Sequence, residues 1–268
     1  MAMDLLSVWE PAEIAVGSCA SWRLGSLSVW VEHYEREWHL LPVYHREAEE
    51  PVGFSLRDKT EKPFSTEWKH YLLREGNLAA PAPVMPDRAV ILRPDRVLVI
   101  PPDEKAQFFV SLPAAFRLSV GVSAVGRMKL LCEYPIVPMP GAWFGDPVSG
   151  ELCYFSEARF FPVPSQIPRS PLHAVCPLLI SNESDKELQF DRICLHTEFL
   201  GVYRSLERFW TNEVNVLFRG PEHVTQILPS KSPPQFEGAA RLVSRPRQAV
   251  ENWYFKRTFD LLKYFTGF

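Results

Sequence analysis

The sequence predicts an all-β protein: an antiparallel β-sandwich in two packed modules, closed by a C-terminal amphipathic helix. Three observations carry that expectation. Phe108, Val110 and Leu112 alternate with other residues at period two, and Phe116, Leu118, Val120 and Val122 are opposed by Arg117, Ser119 and Gly121; such strands have one buried and one wet face. The runs 97–100 and 108–112 flank Pro101-Pro102-Asp103-Glu104-Lys105, the punctuation of an antiparallel meander over 96–122. Proline numbers 25 among 268 residues, nearly twice the average usage of roughly 5%. It interrupts helices and suits strand ends and turns.

Taken in order, residues 18–44 read as a hairpin in which 22–31 ascends, Glu35-Arg36 turns and 38–44 returns, with Trp22, Trp30 and Trp38 as core anchors. A short strand is expected at 52–56. At 67–73 a strand is preferred, although Trp68, Tyr71 and Leu72 also fit helical spacing. Pro81, Pro83 and Pro86 make 79–86 an extended linker and a module boundary. After the meander come a strand at 127–132, an aromatic, turn-rich loop at 135–150 and a strand at 154–161.

A second proline-rich link, 162–171, separates the two modules, which span 1–165 and 166–268. Strands at 175–180 and 188–195 flank an acidic turn, and the interval from Ile180 to Leu188 equals that from Ile100 to Phe108, the mark of two similar hairpin modules. Further strands are expected at 212–219, 225–228 and 239–243. From Arg247 the period becomes 3.6: Val250, Trp253, Tyr254, Leu261, Leu262, Phe265 and Phe268 line one face of a helix over 245–268 that Pro246 opens.

Composition excludes several classes. Hydrophobic residues at 46% and charged residues at 23% are the balance of a globular chain. The net charge is −3 and the basic residues are scattered, so no nucleic-acid footprint is expected. No run approaches the roughly 18 apolar residues of a membrane span, and the N-terminal stretch lacks a basic export region; the expected location is the cytoplasm. Cys19, Cys132, Cys153, Cys176 and Cys194 are odd in number and widely spaced, which suits reduced core thiols better than a disulfide frame or a zinc site.

Pro86-Asp-Arg-Ala-Val-Ile-Leu-Arg-Pro94, Ile100-Pro-Pro, Phe109-Val-Ser-Leu-Pro113, Trp143-Phe-Gly145, Gly150-Glu-Leu-Cys-Tyr154 and Trp210-Thr-Asn-Glu213 resemble the prokaryotic family catalogued as domain of unknown function 432. The resemblance spans most of the chain. It implies a bacterial or archaeal intracellular protein and carries over no catalytic residue.

Four groups of residues are candidates for chemistry. His33, Glu35, Glu37 and His39 would offer two imidazoles and two carboxylates to zinc or iron if 29–40 were one strand; a turn at Glu35-Arg36 breaks that arrangement. Cys194 and His196 are two apart and share a strand face, placing a thiol beside an imidazole, against the alternative of an inert core thiol. Trp143, Phe144 and Asp146 on a glycine-bearing loop form either a ligand or partner surface, or an aromatic plug closed by an Asp146-Pro147 turn.

The fourth group is the helical face Trp253, Tyr254, Leu261 and Phe265, which docks on the protein's own sandwich or on a second copy, giving a homo-oligomer. Membrane-surface binding through Arg247, Lys256, Arg257 and Lys263 is the rival, and Glu251 and Asp260 oppose it. No nucleophile elbow, phosphate-binding loop or dinucleotide fingerprint occurs. The sequence therefore points to a non-catalytic binding or assembly protein without a cofactor. A metal-dependent enzyme using the His33–His39 cluster is the alternative.

Overall fold

A computed structural model describes residues 6–46, 52–57, 63–73, 76–122, 128–220, 223, 225–249, 254–255 and 259–261. Among these, short 3-10 turns at Ser7–Trp9, Pro164–Gln166 and Thr197–Phe199 are the helical elements, and the rest of the regular structure is strand. The strands of the first half are β1 (Ala12–Glu13), β2 (Cys19–Leu24), β3 (Leu27–His33), β4 (Trp38–Tyr44), β5 (Gly53–Arg57), β6 (Lys69–Tyr71), β7 (Leu78–Val84), β8 (Val90–Pro94), β9 (Leu98–Ile100), β10 (Lys105–Pro113), β11 (Ala115–Gly121) and β12 (Lys129–Pro135). There follow β13 (Gly141–Phe144), β14 (Glu151–Ala158), β15 (His173–Asn182), β16 (Leu188–Leu195), β17 (Val202–Arg204), β18 (Phe209–Thr211), β19 (Val214–Phe218), β20 (Gln226–Pro229), β21 (Arg241–Ser244), β22 (Tyr254–Phe255) and β23 (Phe259–Leu261). The all-β expectation holds. No helix among the described residues is long and apolar enough to cross a membrane.

Contacts divide the chain into two units, each assembled from separated segments. Unit 1 comprises Met1–Val84, Pro113–Pro138 and Ser170–Leu172, and unit 2 comprises Met85–Leu112, Met139–Arg169 and His173–Phe268. The first boundary falls at the end of the proline run 79–86. Beyond it the chain returns to unit 1 for β11 and β12 and again for Ser170–Leu172, an interleaving that differs from a single cut between 165 and 166.

Unit 1 holds two antiparallel sheets, ordered β1-β7-β11-β12 and β5-β2-β3-β4-β6. Phe116, Leu118 and Val120 of β11 are buried while Arg117 and Ser119 are half-buried, as the alternation predicts. Arg117 faces Glu133 of β12, with Nη2 2.9 Å from Oε2. Trp22 of β2 is buried with its ring 5.9 Å from Phe116, so the two sheets share a core contact. Trp22 and Trp38 are buried anchors as expected, whereas Trp30 is half-buried.

The expected linker 79–86 contains β7, which pairs with β11 along its whole length. Pro81 and Pro83 are two apart, so their missing N–H groups fall on one side of the strand. On β7's other side β1 pairs with Leu78 and Ala79, so among the described residues its ladder stops short of the prolines.

Unit 2 also holds two sheets: β21-β17-β18-β15-β19-β20-β22 with β10 added beside β15, and β13-β14-β8-β16-β23 with β9 added beside β16. They are mixed rather than purely antiparallel, because β8–β14, β15–β18 and β15–β19 run parallel. The predicted meander 96–122 and its repeat at 175–195 have their strands in place but not their pairing. β9, β10 and β11 enter three different sheets, and β15 and β16 enter two.

The two acidic turns lock to each other instead. Leu188 pairs with Ile100 across β16 and β9, and the buried Asn182 donates from Nδ2 to the carbonyls of Ile100 (2.9 Å), Pro101 (2.9 Å) and Lys186 (2.8 Å). Its Oδ1 accepts from the Ser184 backbone N–H at 3.1 Å and hydroxyl at 2.7 Å.

The C-terminal helix over 245–268 is not found among the described residues of that stretch. Arg247 and Gln248 donate their backbone N–H groups to the Glu198 carbonyl at 2.9 and 3.0 Å, and the Arg247 guanidinium donates to the carbonyls of Met85 and Pro86. β22 then adds to β20 and β23 to β16. At Tyr254–Phe255 and Phe259–Leu261 ladder pairing takes the place of the expected helical period, a tertiary effect that local spacing does not report.

Candidate metal centre

The β3–β4 hairpin builds the first candidate site. Tyr34 donates its backbone N–H to the Glu37 carbonyl at 2.8 Å, so Glu35-Arg36 forms the turn and His33 pairs with Trp38, Glu32 with His39. On the other side of β4, His39 pairs with His70 of β6. Glu32, His39 and His70 therefore form one row across three strands on a single face, and Glu37 reaches the row from the turn.

His39 lies between two carboxylates. Its Nδ1 is 3.6 Å from Glu32 Oε2 and its Nε2 is 3.2 Å from Glu37 Oε1, and His70 Nδ1 is 3.7 Å from Glu37 Oε2. The two imidazole rings are 3.8 Å apart, and Tyr34 covers the other side of His39 at 4.3 Å. Tyr34 also donates its hydroxyl to Glu32 Oε2 at 3.3 Å. The His39 Nε2 atom is buried and makes no aligned hydrogen bond.

One ligand atom each from Glu37, His39 and His70 lie within 4.8 Å of one another. Two imidazoles and a carboxylate are a donor set for a divalent transition metal. Glu32 stands behind His39 on the nitrogen that would not bind metal, the arrangement that fixes a ligating imidazole's tautomer and orientation. The His70 side chain is 56% exposed, so one side of the site opens to solvent.

Of the predicted metal set, then, Glu37 and His39 come together while His33 and Glu35 do not join them. His33 points to the opposite face of β3 by strand alternation. There its ring stacks on Trp38 at 4.0 Å, its Nδ1 hydrogen-bonds the Ile14 carbonyl at 2.7 Å, and burial lowers its pKa despite that bond. His70 was missed because it lies on a strand far away in sequence; a lone His in a three-residue strand carries no signal of its partners.

The Trp143 loop divides between its two readings. Phe144 is buried with Ala89, Ile91, Cys153 and Cys194, as a plug would be. Asp146 Oδ1 accepts from the backbone N–H groups of Val148 at 2.9 Å and Ser149 at 3.3 Å, closing the predicted turn. Trp143 is 51% exposed, faces Leu152 across the β13–β14 ladder, and donates its Nε1 to the Asp146 carbonyl at 2.9 Å.

Of the C-terminal docking residues, Tyr254 and Leu261 fall on β22 and β23, and Trp253 and Phe265 lie outside the described residues. Cys194 and His196 sit at the end of β16, where the Cys194 thiol is 3.7 Å from that of Cys153. The Cys153 contact and burial raise the Cys194 pKa well above the ordinary thiol value, which opposes the activated-nucleophile reading.

These features define an all-β protein of two interleaved units carrying an open His–His–Glu cluster. A family model described as protein of unknown function (DUF432) matches residues 8–263, and the chain belongs to that family. No curated protein and no solved structure gives a significant match.

Proposed function

We propose that this is a binding protein whose unit 1 holds a divalent transition metal through Glu37, His39 and His70. The observation that carries the reading is the three-ligand cluster, with donor atoms within 4.8 Å and Glu32 behind the central imidazole. Three protein ligands leave a coordination position for an exogenous ligand, and the exposed His70 side is where it would enter. This cluster replaces the set that includes His33 and Glu35.

We read each unit as a sandwich of its two sheets. The Trp22–Phe116 contact supports this in unit 1. In unit 2 the support is Phe160, whose ring is 5.8 Å from Phe108 of β10 and 6.4 Å from Phe190 of β16. Five buried cysteines without disulfides support a reducing compartment such as the cytoplasm.

The test is a zinc titration of the intact chain by calorimetry. His39→Ala and His70→Ala should each weaken one class of site by tenfold or more, and Glu35→Ala should leave it unchanged. Equal zinc binding in the wild-type chain and both histidine variants would sink the proposal.

A further inference from the structure

We infer that unit 2 contains a second metal centre, a zinc site formed by Glu151, Cys153 and Cys194. It is independent of the Glu37–His39–His70 cluster. β14 and β16 both pair with β8, and Cys153 and Cys194 occupy one face of that sheet, packed with the buried Ala89, Ile91 and Phe144. Both cysteines are buried.

The distances are those of coordination. The two Sγ atoms are 3.7 Å apart, and thiolates bound at about 2.3 Å to a tetrahedral zinc stand about 3.8 Å apart. Glu151, Cys153 and Cys194 each bring a ligand atom within 4.8 Å of the others. His196 Nε2 is 3.6 Å from Glu151 Oε1, so the imidazole stands beside that carboxylate. The three mutually close donors are thus two sulfurs and the Glu151 carboxylate, with His196 beside Glu151 rather than within that set.

The surroundings fit the same chemistry. The His196 side chain is fully buried, and its Nδ1 is 3.3 Å from Glu198 Oε1. Glu198 thereby holds the imidazole with Nε2 toward Glu151, a support for that carboxylate. Strand alternation supplies the spacing: Glu151 and Cys153 are two apart, as are Cys194 and His196, so each pair falls on one side of its chain segment.

Both thiols are free, and their strands are not neighbours but each pair with β8. Zinc entry involves no redox change. Each thiol gives up one proton to solvent and its sulfur takes up a metal bond, so loading releases two protons.

Cobalt(II) loading of the intact chain carrying His39→Ala and His70→Ala, which silence the unit 1 cluster, tests the site. The expected result is one bound cobalt per chain with the visible bands of tetrahedral coordination and a sulfur-to-cobalt charge-transfer band, displaced by zinc. Cys153→Ser and Cys194→Ser should each diminish that charge-transfer band. The cobalt spectrum with both cysteines intact does not depend on any unit 2 variant folding. Absence of sulfur-to-cobalt charge transfer while all five thiols react after denaturation would overturn the site. So would a Cys153–Cys194 disulfide in the purified chain, or a charge-transfer band unchanged in Cys194→Ser.

Discussion

Glu32 stands directly across the β3–β4 ladder from His39, with its Oε2 3.6 Å from the imidazole Nδ1. The carboxylate is buried on a strand whose other residues are mostly apolar, a costly position for an acid without a task. Glu32→Gln keeps the shape and removes the charge. It should leave all three proposed ligands in place yet weaken zinc binding in unit 1 by about 10–100-fold, the usual consequence of losing such a support. Calorimetry against the wild-type chain checks this. An unchanged affinity would remove Glu32 from the metal site.

Trp143 and Phe144 are adjacent but should respond differently to truncation. Phe144 fills the cluster around Cys153 and Cys194, so Phe144→Ala should cost about 3–5 kcal/mol of unfolding free energy. Trp143 is half in solvent and should cost much less on Trp143→Ala, because most of its surface stays wetted in the fold. Chemical denaturation of the two variants separates them. Equal losses would mean that the Trp143 ring is as much a part of the core as Phe144.

The strands were legible in sequence where one face is wet. The alternation along β11 and the Glu35-Arg36 turn were both readable, because burial and turn chemistry are local. Pairing was not. The 98–112 and 175–195 segments have hairpin spacing, but the choice between pairing with a neighbour and pairing with a distant strand rests on contacts such as those of Asn182, which no local pattern encodes. For the same reason the metal reading recovered Glu37 and His39 from one hairpin and missed His70, which only β4–β6 pairing brings alongside. Cys153 and Cys194 read as separate core thiols because 40 residues lie between them and β8 runs between their strands. At Tyr254–Phe255 and Phe259–Leu261 the helical expectation fails because aromatic residues that would line a helix also satisfy strand positions.

His33 should make the fold acid-sensitive. Burial lowers its pKa from the ordinary histidine value, and burial does the same to His173 in unit 2. The unfolded chain therefore takes up these protons first as pH falls. Stability from the neutral rings is fully present above about 6.5, the unfolded value, and is lost as pH drops toward and through the lowered native values. Melting temperatures between pH 7.5 and 5.5 should fall, and His33→Asn should be less stable at pH 7.5 but show a shallower fall. A variant as steep as wild type would remove His33 from the account.

Asn182 offers a test of how the two turns of unit 2 hold each other. Its amide NH2 faces three carbonyl oxygens, those of Ile100, Pro101 and Lys186, and each turn's backbone has satisfied itself on that one group. Asn182→Ala should cost about 1–3 kcal/mol per carbonyl left buried without a donor, reduced wherever water enters. Asn182→Asp should be worse at neutral pH although it is nearly isosteric, because a carboxylate would then face acceptors and lose both donated hydrogens. The fold would hold that carboxyl protonated, raising its pKa, so the deficit of the Asp variant relative to wild type should shrink as pH is lowered toward 4. Urea unfolding of wild type, Asn182→Ala and Asn182→Asp at pH 7 and pH 5 distinguishes the cases. If Asn182→Asp proves no less stable than Asn182→Ala at pH 7, the amide's donor role between the turns is wrong.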